Sequence, residues 1–91
     1  MGTARQRPKH LAAKLRAIRR KMKVSQSEMV KLLKFETTNA RISEYEHGIR
    51  IPNLLVLLRY ARISGVSVEA LIDDELKPSQ LVIAEHYLNS L

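Results

Sequence analysis

The sequence predicts an all-α fold, with five helices in one domain followed by a short C-terminal helix. Three observations predict it. Apolar residues recur at steps of three and four along most of the chain, the periodic runs open on a capping residue or a proline, and no segment alternates at period two. The 91 residues suffice for one compact domain, and with 45% apolar residues a core can form.

The first helix is expected from about Lys9 to Met22, burying Leu11, Leu15, Ile18 and Met22 and showing Lys14, Arg16, Arg20 and Lys21 to solvent. Pro8 stands at its start, where a missing N–H costs nothing. Ser25 and Glu28 form a capping box at the head of the second helix, whose apolar face is Met29, Leu32 and Leu33. Lys34–Thr37 has no period and reads as a turn. Thr38 then caps a third helix that runs to His47 and stops at Gly48. Asn53 caps the fourth helix, with Leu54, Leu57, Leu58 and Ala61 as its buried side and Gly65 as its end. Ser67 caps a short fifth helix to about Ile72. After the polar break at residues 73–78, Leu81, Ala84, Leu88 and Leu91 form a heptad-like stripe.

Composition narrows the function. There is no cysteine, so neither a disulfide framework nor a thiolate metal site is available. No apolar run approaches the length of a membrane span and no signal-peptide core is evident, so a soluble intracellular protein is expected. The net charge is +7, and it is uneven: residues 1–23 carry nine Lys or Arg and no acid, whereas residues 73–91 carry four acids and one Lys. Such asymmetry suits a polyanion-binding face, and equally a solvated basic helix. His10, His47 and His86 lie far apart, with no spaced acids to complete a metal site and no glycine-rich phosphate loop or nucleophile motif. Neither catalysis, a metal nor a cofactor is expected.

Four motifs in order decide between these readings. Val24 to Val30 is similar to a Leu-Ser-Gln-x-Glu-Leu-Ala opening, and Ile42 to Gly48 to an Ile-Ser-x-Tyr-Glu-x-Gly core. Pro52 follows, and then Gly65-Val66-Ser67 to Leu71. Over residues 9–72 the chain thus resembles the XRE-type helix-turn-helix family of phage repressors and Cro proteins. The organisation this implies is a basic arm (1–8), a helix-turn-helix domain (9–72), a linker (73–78) and a C-terminal helix (79–91). Two departures stand out: Lys23 and Lys34 occupy positions where the family often has glycine, and the turn before Ile42 is about two residues longer than the common pattern.

The resemblance implies that the third helix enters the major groove. Mapped back from Ile42, the family's base-contact positions fall on Thr38, Asn39, Ala40 and Glu44, with Arg41 and Ser43 beside them. Asn39 suits adenine, Arg41 suits guanine or a phosphate, the Ala40 methyl suits thymine, and Glu44 suits a cytosine amino group. Asn39 has a second reading as a helix cap, and Glu44 as an exposed i,i+3 partner of Arg41. Gln26 stands at the family's phosphate clamp, with Lys14, Arg16, His47 and Arg50 as further phosphate contacts and Arg5 and Arg7 on the arm. By resemblance Arg19 and Glu46 form a structural ion pair. Tyr45 reads as core.

The expected function is a sequence-specific, double-stranded-DNA-binding transcriptional regulator. It would be a repressor acting as a homodimer on a palindromic operator, in the cytoplasm of a bacterium or a phage host and associated with the nucleoid. The dimer seam is expected at Leu81, Ala84, Leu88 and Leu91, unless that stripe folds back on the core. An antitoxin-like module that holds a small protein partner on the same fold is the alternative, and nonspecific DNA packaging a third reading.

Overall fold

Local capping decides where each helix begins. In the computed structural model, which describes residues 7–34 and 36–83, five helices follow one another. They are α1 (Leu11–Lys21), α2 (Gln26–Leu33), α3 (Asn39–Glu46), α4 (Leu54–Ser64) and α5 (Val68–Ile72), and one turn of 3-10 helix at Pro78–Gln80 comes after them. No strand occurs among the described residues.

Ser25 Oγ accepts from the Glu28 N–H at 3.0 Å and Glu28 Oε1 accepts from the Ser25 N–H at 2.8 Å, a complete capping box. Thr38, Asn53 and Ser67 each accept the N–H three residues ahead, at 3.1, 3.0 and 3.0 Å. Gly65 closes α4 with φ +75°, and Gly48, with φ +73°, follows α3. The first helix is shorter than expected, because Pro8 and Lys9 lie outside it and the His10 side chain makes no cap. A distant carboxylate caps it instead: Asp74 accepts the N–H groups of Lys9 at 2.9 Å and His10 at 3.2 Å. The lysines at the two family-glycine positions both adopt left-handed backbone, Lys23 at φ +60° and Lys34 at φ +50°. The chain accepts there the Cβ crowding that glycine avoids.

The core is centred on Leu15, Ile18, Met29, Leu33, Ile42, Tyr60 and Leu71, all fully buried. Two sequence expectations need correction. Helix α4 buries Val56, Leu57, Tyr60, Ile63 and Ser64, while Leu54 is 74% exposed and Leu58 and Ala61 are half-buried. The segment Leu54–Leu58 is apolar all round, so periodicity supports either stripe and packing selects the one carrying Tyr60. Lys14, expected at the surface, is fully buried. Its Nζ donates to the carbonyls of Ala70 and Asp73, each at 2.6 Å, and so caps the C-terminus of α5. Desolvation pulls its pKa below the usual 10.5, opposed by Asp73 and Asp74. Helices α1 and α5 thereby cap one another: Lys14 serves the end of α5 and Asp74 the start of α1.

The C-terminal helix expected over 79–91 does not begin where the stripe does. Gln80 Oε1 accepts the Lys77 N–H at 2.7 Å, the chain makes its single 3-10 turn, and Leu81 continues in extended backbone. Leu81 and Ile83 are half-buried against the domain's own core. Ala84, Leu88 and Leu91 lie outside the described residues.

Candidate nucleic-acid interface

Helices α2 and α3 pack directly on each other, joined by Lys34–Thr38. This is the longer connection expected from the sequence. Lys34 turns the chain by its left-handed backbone and Thr38 starts α3. Phe35, within this connection, lies outside the described residues.

The inner face of α3 buries Ile42, Tyr45 and Glu46. A polar clamp lies behind it. Arg19 Nε donates to Glu46 Oε2 at 2.7 Å and Nη2 to Oε1 at 3.1 Å, while Nη1 reaches the Val24 carbonyl at 3.1 Å. The Glu46 side chain is 2% exposed, so this two-pronged pair fixes the angle between α1 and α3 inside the domain. The hydrogen bond to Glu46 raises the Arg19 pKa from its usual value, against a smaller desolvation effect. Burial first, and Glu46 and Tyr45 after it, push the Tyr60 phenol up, so it stays neutral beside the carboxylate.

The outer face of α3 presents Asn39, Ala40 and Arg41 to solvent at its N-terminal end, with Ser43 and Glu44 half-exposed behind them. Asn39 is pre-set: its Nδ2 donates to Ser27 Oγ at 2.6 Å, tying the heads of α2 and α3 together. The side-chain oxygen and the second amide hydrogen have no protein partner among the hydrogen bonds of the described residues. Those are the two groups that an adenine edge requires. The Thr38 hydroxyl is engaged as the cap. Glu44 Oε1 lies 2.9 Å from Arg50 Nε and 3.7 Å from Arg41 Nε, so one carboxylate bridges two arginines on the exposed surface. The i,i+3 pairing with Arg41 is thus present, and Arg50 is the closer partner. His47 Nδ1 lies 2.8 Å from the Ser43 carbonyl oxygen, and the residue is exposed.

The positions flanking α3 separate into two groups. Arg16 is exposed, and with Lys9, Arg20 and His47 it rims a shallow cleft floored by Ala13 and Ala17. Arg7 donates to the Gly48 carbonyl at 3.3 Å, which places Arg7 at the C-terminal end of α3. Arg5 lies outside the described residues. Gln26 is half-buried at the first position of α2, its Nε2 3.5 Å from Glu46 Oε1, so its side chain touches the buried ion pair. Lys14 does not join this surface, because it is fully buried and its ammonium is engaged by the α5 carbonyls. Sequence reasoning did not single out Ser27 or Arg20. Ser27 had a readable signal in its place at the second position of a capped helix beside the turn.

Among the described residues, no group of three His, Cys, Asp or Glu is placed to hold a metal ion. No described helix is long and apolar enough to cross a membrane. The sequence profile of a family described as Helix-turn-helix matches residues 15–71, from within α1 to α5. No curated protein and no solved structure matches the chain.

Proposed function

The chain belongs to the XRE-type helix-turn-helix family of DNA-binding regulators, and on that premise we propose that it is a repressor that binds a palindromic duplex operator as a homodimer. The observation that carries the reading is the exposed N-terminal end of α3, where Asn39, Ala40 and Arg41 project side by side from a helix clamped from behind by Arg19 and Glu46.

In this reading α3 lies in the major groove. Asn39 takes an adenine edge with its position set by Ser27, the Ala40 methyl meets a thymine methyl, and Arg41 takes a guanine or a phosphate. Thr38, Ser43 and Glu44 stand behind these readers and act chiefly by placing them. Gln26, Arg16, His47, Arg50, Arg5 and Arg7 set the register through the backbone and carry no sequence information. The N-terminal end of α2, with its unpaired N–H groups, adds to the phosphate site.

Selecting bound duplexes from a random pool tests the proposal. The expected result is a palindrome whose half-sites lie roughly 10 base pairs apart, competing at physiological salt about a thousandfold better than random duplex. A pool that emerges without a consensus overturns it.

A further inference from the structure

Six large apolar side chains are exposed among the described residues, and four of them fall within seven positions: Ile49 (68%), Ile51 (42%), Leu54 (74%) and Leu55 (62%). They occupy the connection that leaves α3 and the first turn of α4. We propose that this patch is the seam between two copies of the chain, formed as they sit side by side on the operator; the inference rests on the regulator reading above.

The patch is held firmly. The Ile49 and Arg50 N–H groups both donate to the Glu44 carbonyl, at 2.9 and 3.3 Å, and the Gly48 N–H donates to Tyr45 at 3.3 Å. Pro52 is buried between the exposed Ile51 and Asn53, and Asn53 caps α4. Because the connection is fastened to the C-terminal turn of α3, a seam here transmits the position of one reading helix to the other. That is what recognition of two half-sites at a fixed spacing requires.

Charge and size point to a second copy as the occupant. Within Gly48–Leu55 the one charged residue is Arg50, whose guanidinium is already paired with Glu44 at 2.9 Å, and Arg7 reaches the Gly48 carbonyl at 3.3 Å from outside the segment. Two such patches can therefore face each other about a two-fold axis without burying an uncompensated charge of that segment. DNA is a poor cover, because aliphatic groups gain nothing against hydrated phosphates. The four side chains expose on the order of 400 Å², and two copies would bury about twice that, at the weak end of specific interfaces. A weak seam suits copies that the operator brings together, where local concentration supplies the rest. The competing seam at the C-terminal stripe has lost part of its surface, since Leu81 and Ile83 are packed on their own core.

The experiment compares the full chain with its Ile49→Thr/Leu54→Ser double variant, which leaves net charge unchanged and alters only exposed positions. Sedimentation at high micromolar concentration is expected to show a reversible wild-type dimer that strengthens with salt, as repulsion between two basic copies is screened. The double variant stays monomeric. On the selected palindrome the variant loses roughly tenfold or more in affinity together with its cooperativity, while its affinity for a single half-site is unchanged.

The seam is overturned if the wild type stays monomeric at every salt concentration and fills half-sites independently. It is equally overturned if the variant associates like the wild type, or if removing residues 84–91 abolishes association while the double variant keeps it. A wild type that dimerises through the patch yet selects no duplex sequence keeps the seam and removes the operator. A protein that binds its selected duplex only as a monomer does the reverse.

Discussion

Two glutamates two residues apart on α3, Glu44 and Glu46, each pair with arginine, and the pairs differ in kind. Glu46 is inside, 2% exposed, and takes two prongs from Arg19, itself 17% exposed. Glu44 is outside at 35%, shared between Arg41 and Arg50 at 46% and 50%. The same ion-pair chemistry therefore does structural work on one side of the helix and lies, on the other, on the face proposed to meet DNA. Desolvation makes the difference. A partner lost inside leaves a charge that water cannot reach, whereas a partner lost outside is replaced by water at little cost.

The largest test of that contrast is Glu46→Ala, expected to cost about 3–5 kcal/mol of folding stability in chemical denaturation. A cost near that of a surface pair would break the comparison. Lys14→Met comes next: it strips the carbonyls of Ala70 and Asp73 of their donor and should cost about 2 kcal/mol, showing that burial governs the effect on α1 as well. Lys34→Gly removes an exposed positive charge and is expected to stabilise, by about 0.5–1 kcal/mol, because it relieves a left-handed backbone at some entropic cost.

Glu44→Ala should move folding stability by only about 0.5 kcal/mol. Its effect belongs to DNA. Freeing Arg41 and Arg50 should tighten nonspecific binding and steepen its salt dependence by about one to two ions, read from affinity against salt concentration.

The smallest effect is in acid. The Lys9 N–H, and to a lesser degree that of His10, hold the Asp74 carboxyl below its ordinary 3.8. The Ser25 backbone and hydroxyl hold Glu28 below 4.5. A folded value lower than the unfolded one means that these caps contribute fully above the ordinary values. Their contribution is lost as pH falls from there through the depressed ones. Asp74→Asn should flatten that limb of the stability profile, and an unchanged limb would leave Glu28 as its source.

Much of the fold was legible because its signals are local. Ser25 with Glu28, Thr38, Asn53 and Ser67 act on N–H groups three residues away, so the sequence names both partners at once. Gly48 and Gly65 mark their stops in the same way. The outward placement of Asn39, Ala40 and Arg41 followed from counting around a helix from Ile42. Lys14 was misplaced although the spacing held a warning: it lies three residues after Leu11 and four before Ile18, inside the buried stripe. Its charge argued for the surface, and its two carbonyl acceptors are more than fifty residues away. Leu54 was misplaced for the opposite reason, since α4 begins apolar on every side and only its neighbours choose the face.

By itself, then, the sequence determined the five helices of the domain, the caps of α2 to α5 and the motif at Ser25-Gln26 and Ile42–Gly48, all set by interactions within about one helical turn. Tertiary structure alone decided which charges are buried, that Lys14 and Asp74 cross-cap α1 and α5, and that Arg50 is the closer partner of Glu44. It also left Ile49, Ile51, Leu54 and Leu55 uncovered. Each of these depends on which segments meet across the core, and residue spacing along one helix carries no information about the partner another helix will bring.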